Sequence, residues 1–230
     1  MKENLLEIQE NIKDAAKKSG RFAEDITLIG VSKTVPVEII TEAYQLGVKH
    51  FGENKVQEFL PKYEVFPEPA WHMIGHLQTN KVKFIIDKVK LIHSVDSFKL
   101  AHEIDKRAKQ KNIKMDILVE INIAGEDTKQ GIPPQNTDSF IEQMYQFPNI
   151  SVKGLMCIAP YVEKSEENRV YFEKMYRLFV DIKAKRAYST NMRILSMGMS
   201  GDYKVAIEEG ATMVRIGTSL FGYREQSIKM

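Results

Sequence analysis

The strongest constraint in this chain is a repeated alternation. Short β-branched, apolar runs recur along its whole length, and each is followed by a segment with helical spacing or a helical turn. The runs are residues 26–33, 48–52, 71–75, 91–95, 114–123, 150–158, 192–197 and 212–217. The helical segments are 34–47, 53–63, 79–89, 97–111, 134–147, 165–187 and 202–210, and a short terminal piece follows the last run. Buried strands alternating with helices require parallel strands joined by crossover helices. Eight such units in 230 residues match a (β/α)8 TIM-type barrel. An open doubly wound sheet is the alternative, and the count of eight favours the barrel. Before the first strand, Leu5, Ile8, Ile12, Ala15 and Ala16 recur at three-four spacing, which predicts an extra amino-terminal helix over about 3–18. No Pro/Gly/Ser-rich linker interrupts the pattern, so residues 1–230 are expected to form one barrel domain.

Composition narrows the function classes. Thirty-three Lys and Arg against 31 Asp and Glu give a net charge of +2, which argues against non-specific nucleic-acid binding. No apolar run approaches the roughly 20 residues of a membrane-spanning helix, and the amino terminus has no secretory apolar region. The single cysteine, Cys157, rules out an internal disulfide framework. A cytoplasmic protein with no membrane or nucleic-acid partner is expected.

In such a barrel the reactive side chains sit at the carboxyl ends of the strands. Lys33 follows the first strand directly. A lysine leaving a dry core is expected to be desolvated, which favours the neutral amine that attacks carbonyls; a solvated loop lysine is the plain alternative. The seventh and eighth strands end in SMGMSGD (196–202) and RIGTSLFG (215–222). Barrel phosphate sites are commonly built from the loops after these two strands. Ser200 reads as an N-cap for the next helix, and Gly217, Thr218 and Ser219 offer free N–H groups. Arg215, near the end of the eighth strand, must be paired or face a ligand, and an ion pair with Glu53 or Asp202 is the structural alternative. An amine, a phosphate cup and an arginine in one mouth suggest pyridoxal phosphate. An arginine at its pyridine nitrogen would keep that nitrogen unprotonated.

Several longer segments carry a family resemblance. They are GVSKT (30–34), FGENKVQE (51–58), WHMIGHLQTNK (71–81), HSVDS (93–97), EINIAGEDTKQG (120–131), GLMCIAP (154–160), LSMGMSGD (195–202) and VRIGTSLFG (214–222). Through nearly the whole chain these resemble the pyridoxal phosphate homeostasis proteins, whose fold is the barrel of alanine racemase with an extra amino-terminal helix. The resemblance implies that Lys33 carries pyridoxal 5'-phosphate as a Schiff base. It places Ser200, Gly217 and Thr218 on the phosphate, Arg215 at the pyridine nitrogen and Asn54 beside the ring. It implies a monomer without established turnover, associated with vitamin B6 and amino-acid balance; reversible binding and transfer of the cofactor to an apo-enzyme are expected. Lys55 departs from the family motif, where an aromatic is usual.

Other features are expected to be secondary. His72 and His76 invite a metal reading, but zinc catalysis usually needs three protein ligands, so hydrogen-bonding histidines near the third strand's end are expected instead. Cys157 reads as packing, Met197 and Met199 as pocket wall, and 163–168 as a solvated helix start. The loop 125–131 could cover the mouth, with Lys129 as a second amine or simply an exposed lysine. Two competitors to a carrier are a racemase or decarboxylase on the same cofactor and a metal-dependent hydrolase. Racemisation needs acid–base groups on both faces of the cofactor. In alanine racemases a tyrosine from a separate domain of the partner subunit serves the second face, and no such domain is expected here.

Overall fold

The computed structural model describes residues 1–126, 128–185 and 192–222. Its strands are β1 (Thr27–Val31), β2 (His50–Glu53), β3 (Ala70–Met73), β4 (Leu91–Val95), β5 (Met115–Ile121), β6 (Ile150–Cys157), β7 (Ile194–Met199) and β8 (Met213–Ile216). They form a closed barrel in chain order. Every pairing is parallel, and β1 pairs with β8 through Thr27–Met213 to Gly30–Ile216 to complete the circle. Closure removes every sheet edge, so the predicted barrel is the observed one and the open sheet is not.

Helices follow the strands: α2 (Val37–Gln45), α3 (Val56–Val65), α4 (Val82–Ile85), α5 (Phe98–Gln110), α6 (Thr137–Met144), α7 (Arg169–Ala184), α8 (Tyr203–Glu208) and α9 (Thr218–Phe221), with α1 (Lys2–Lys18) preceding β1. Side-chain alternation divides the strands. Phe51, Trp71, Met73, Ile117, Val119, Leu195, Val214 and Ile216 join the large core under the helices. Ile29, Leu91, Leu118, Met156 and Met213 form a separate small cluster, one residue from each of five strands. Only the lumen brings such residues together, so this is the barrel's inner packing.

The amino-terminal helix buries the predicted face, Leu5, Ile8, Ile12, Ala15 and Ala16. It lies against α8 and α9, where Asn4 Nδ2 donates to Leu220 O at 3.2 Å and Lys18 meets Glu208 at 2.8 Å. Two local expectations change. The helix read over 79–89 is a 3-10 turn, Thr79–Lys81, followed by one turn of α4. The strand read over 192–197 runs instead from Ile194 to Met199. There Gly198, at φ +90°, lets the backbone bend against α8; a Cβ would fall 2.5 Å from that of Ala206. The bend shifts the β7–β8 register between Ser196 and Met199. The carboxyl end of the helix read over 165–187 lies outside the described residues.

Candidate functional site

At the carboxyl ends of the strands lies a cavity of about 380 Å3, lined by Val31, Lys33, Asn54, Ile74, His76, Glu120, Asn122, Lys129 and Arg215 among others. A larger cleft of about 620 Å3 lies at the opposite end of the barrel beneath α1, walled by Leu5, Leu6, Ile12 and Val48, away from the strand-end residues. The strand-end side chains Lys33, Asn54, Glu120 and Arg215 line the smaller one.

Three predicted residues, Lys33, Asn54 and Arg215, therefore share one cavity. Lys33 lies two residues past β1 and its side chain is exposed. The desolvation expected of it is absent, so what recommends Lys33 is its position. Its neighbour Thr34 has φ +59°, a strained conformation for a β-branched residue. The Thr34 N–H is held by Glu58 Oε2 at 2.9 Å. Beneath Lys33, Ser32 Oγ donates to Glu53 Oε1 at 2.7 Å, and Lys62 Nζ donates to both Glu53 Oε1 and Ser32 O at 2.7 Å. These bonds fix the strand-end backbone from which Lys33 projects. Asn54 sits against Gly75 so closely that a Cβ there would lie 2.6 Å from Asn54 O.

Arg215 is 4% exposed and closes the floor. Its Nη1 donates to Ser196 Oγ at 2.7 Å and its Nη2 to Cys157 O at 2.9 Å. Neither predicted ion pair forms: Glu53 is engaged by Lys62, and Asp202 accepts from Met199 N at 2.7 Å and Asn168 Nδ2 at 2.8 Å. A buried guanidinium whose hydrogen bonds go to neutral acceptors still presents positive charge to the cavity, where Glu120 is its acidic counterpart on the wall.

The loops after β7 and β8 meet as the sequence suggests, by a different bond. Ser200 does not cap α8, whose N-cap is Asp202. Its Oγ instead accepts from Gly217 N at 3.2 Å and Ser219 N at 3.3 Å. Ser200, Gly217 and Ser219 are thus gathered into one cluster of hydroxyl and amide groups that follows cavity-lining Met199 and Arg215 in the chain, with Thr218 between Gly217 and Ser219.

Across the cavity, Asn122 pins the β5 loop: its Nδ2 donates to Glu126 O at 2.9 Å and its Oδ1 accepts from Glu126 N at 3.2 Å. Lys129 lines the cavity and pairs with Glu126 at 2.7 Å, so it is neither a free amine nor fully exposed. Residue 127 of this loop lies outside the described residues. His72 and His76 do not share a strand face: His72 is buried in β3, and His76 lies beyond the strand, exposed. Cys157 is buried, and burial pushes its thiol up to about 12, which suits packing.

Sequence reasoning missed Glu120 and two histidines. Glu120 is 6% exposed, and burial, aided by Asp96 and opposed by Arg215, holds its carboxyl at about 7. Its signal was a charge near the carboxyl end of the apolar run MDILVEINI, four residues after Asp116 at the start of the strand. His50 and His93 lie inside the lumen with His72. Counting back by twos from each strand end (Asn54 to Gly52 to His50) would have found His50.

Comparison with known proteins gives the family and the fold. Residues 4–225 match the family model of the alanine racemase N-terminal domain. A pyridoxal phosphate homeostasis protein of Aquifex aeolicus is 50% identical over 225 residues, covering 97% of this chain and 98% of that protein. The structure of PipY from Synechococcus elongatus, with pyridoxal phosphate bound, is 33% identical with a TM-score of 0.78 over 92% of this chain and 100% of that one. A protein of unknown function from Bifidobacterium adolescentis superposes with a TM-score of 0.90 at 31% identity, covering 96% of this chain and 94% of that one. With identity at this level along nearly the whole length, the chain belongs to the pyridoxal phosphate homeostasis proteins, within the alanine racemase N-terminal domain family.

Proposed function

We propose that this chain binds pyridoxal 5'-phosphate in the upper cavity and serves its homeostasis in the cytoplasm, holding the cofactor and releasing it to apo-enzymes. Residues 1–230 act as one barrel domain in this reading. The residues present fit the group. The cavity, at about 380 Å3, falls in the usual range for cofactor sites. Lys33 supplies an amine at its rim. Arg215 supplies a donor-only group at its floor, since a guanidinium has no acceptor. Ser200, Gly217 and Thr218 supply the hydroxyl and amide donors that suit a phosphate. Asn54 lines the same cavity and would lie beside the ring.

When bound, the cofactor supplies an aldehyde open to amine capture and a ring whose electron-withdrawing power depends on its nitrogen. The chain's own part is to bind and orient. Lys33 Nζ would hold the aldehyde carbon covalently, the aldehyde oxygen leaving as water. Arg215 would present N–H to the ring nitrogen without giving up a proton, which would leave that nitrogen a weak sink. The observation that carries this reading is the buried Arg215, whose hydrogen bonds among the described residues go to Ser196 Oγ and Cys157 O and not to a carboxylate.

Purified protein carrying the cofactor should show a visible absorbance band that borohydride abolishes. Lys33→Ala should lose the band while remaining folded. A band that persists, with the cofactor still fixed to the chain by borohydride, would move the attachment elsewhere, with Lys129 first. Glu120 favours a second reading, an amino-acid racemase or decarboxylase, because a carboxyl near 7 on the cavity wall suits proton transfer at neutral pH. Loaded protein with single L-amino acids in deuterated water separates the two. Steady α-deuterium exchange that depends on Lys33 would establish the enzyme and end the carrier reading.

A further inference from the structure

His50, His72 and His93 stand on the adjacent strands β2, β3 and β4, and each ring bonds the next. His50 Nδ1 lies 2.9 Å from His72 Nε2, and His72 Nδ1 lies 3.0 Å from His93 Nε2. From β4 the series crosses the lumen to β7, where His93 Nδ1 lies 3.2 Å from Ser196 Oγ. Ser196 Oγ then meets Arg215 Nη1 at 2.7 Å. These five side chains link the two ends of the barrel. Arg215 lines the upper cavity. His50 lines a cavity of about 280 Å3 below, together with Asp25, Lys90, Asp116 and Arg193.

The bonding pattern fixes the protons. Arg215 can only donate, so Ser196 Oγ accepts from it. Among the described residues, the other partner of the Ser196 hydroxyl is His93 Nδ1, so the hydroxyl proton goes there. The His93 proton must then sit on Nε2 and be donated to His72 Nδ1. The His72 proton sits on Nε2 and is donated to His50 Nδ1. The His50 proton sits on Nε2, towards the lower cavity. The opposite arrangement would leave the Ser196 hydroxyl with two donors aimed at it and no acceptor in a buried site, which is costly. The scheme requires neutral rings. Burial pushes His72 down to about 3 and His93 well below the usual range, and burial and Lys90 push His50 down.

We propose that Ser196, His93, His72 and His50 form one polarised hydrogen-bond relay that positions the Arg215 guanidinium and couples the cofactor-facing end of the lumen to the cavity beneath the barrel. The coupling rests on the reading that Arg215 faces the cofactor's ring nitrogen; the relay's polarity does not. Ser196 and the histidines are positioning residues, since they act through Arg215. A ligand acceptor at Arg215 alters how strongly Nη1 donates to Ser196, and aligned hydrogen bonds pass such polarisation along the series.

Nitrogen-15 imidazole spectra of the full chain test this directly, because the chain has only five histidines. Without cofactor, His93, His72 and His50 should each carry their proton on Nε2. Pyridoxal phosphate should shift His93 most, His72 less and His50 least, leaving His102 on α5 unmoved. Ser196→Ala should abolish the graded shifts and weaken pyridoxal phosphate several-fold while the visible band still forms, and Ser196→Thr should restore both. An Nδ1 proton on any of the three rings overturns the relay's polarity. A visible band with no shift at the three rings, or shifts that survive Ser196→Ala, overturns the coupling while the cofactor reading stands. No binding of pyridoxal phosphate at all overturns the cofactor reading and the coupling together, with the apo spectra still deciding the polarity.

Discussion

Glu53 and Arg215 are both buried charges on the barrel strands, at 0% and 4% exposure, yet their surroundings differ. Glu53 points out from β2 and meets Lys62 at 2.7 Å. Arg215 points into the lumen and meets a hydroxyl and a carbonyl. Burying an ion is costly unless it is paired. In the wall that cost is met inside the chain by an opposite charge. In the lumen the direct hydrogen bonds go to neutral dipoles, so the guanidinium's charge is shared with Glu120 and Asp202 at longer range and with whatever enters the cavity. The first arrangement fixes structure; the second is poised for a ligand with an acceptor atom.

Breaking the wall pair should give the largest effect on stability. Lys62→Met leaves Glu53 buried without its cation and should cost about 3–5 kcal/mol, read from denaturant midpoints at neutral pH. Burial already pushes the Glu53 carboxyl up against the pull of Lys62 and Ser32, so the variant should recover part of the loss in mild acid, where Glu53 takes a proton. Adding Glu53→Met should restore most of the stability, because replacing both members of a buried pair with apolar groups is close to neutral. A loss unchanged by the second substitution would show that Lys62 acts by packing.

The same comparison shows what was legible in the chain. The barrel could be read because each strand is a continuous apolar run and each helix keeps a stripe such as Leu5, Ile8 and Ile12. The gathering of Lys33, Asn54 and Arg215 in one cavity could be read because strand ends converge in a barrel. Partners were not legible. That Glu53 belongs to Lys62 depends on where α3 lies on β2, and that Ser200 meets Gly217 N depends on the bend at Gly198. His93 and Ser196 are 103 positions apart, and only the diameter of the closed lumen brings them together. Periodicity reports which face a residue occupies, while pairing depends on tilt and register that no single run encodes.

Glu120 answers burial in a third way, by keeping its proton. Its carboxyl is raised in the folded chain to about 7, above the ordinary value of roughly 4.3. A raised carboxyl contributes stability that is fully present below the unfolded value and lost as pH rises through the folded one. The folded protein should therefore lose on the order of 3 kcal/mol from this group between about pH 4 and pH 8. Glu120→Gln removes the titration. The variant should match the parent near pH 5 and exceed it by about 2–3 kcal/mol near pH 8. Parallel stability curves across that range would show that Glu120 is ionised in the fold, placing it with Glu53 among the compensated charges.

The smallest expected effect falls on the loop cluster, and it concerns affinity. Ser200 Oγ gathers the N–H groups of Gly217 and Ser219 into one spot. If that spot holds a phosphate, the ligand brings an anion to these amides. A hydrogen bond to a charged group is worth roughly 1.5–3 kcal/mol. Ser200→Ala should therefore weaken pyridoxal phosphate about tenfold to a hundredfold, while leaving unphosphorylated pyridoxal nearly unchanged. The two ligands share the aldehyde and ring and differ in the phosphate, so the ratio of their losses isolates this contact. Ser200 is partly buried at a loop end and supports no core residue, so Tm should move little. Equal losses for both ligands would show that Ser200 shapes the loop without touching the phosphate. The phosphate-binding role would then fall to Thr218 and the backbone after Gly217, and Thr218→Val would be the variant that separates the two ligands.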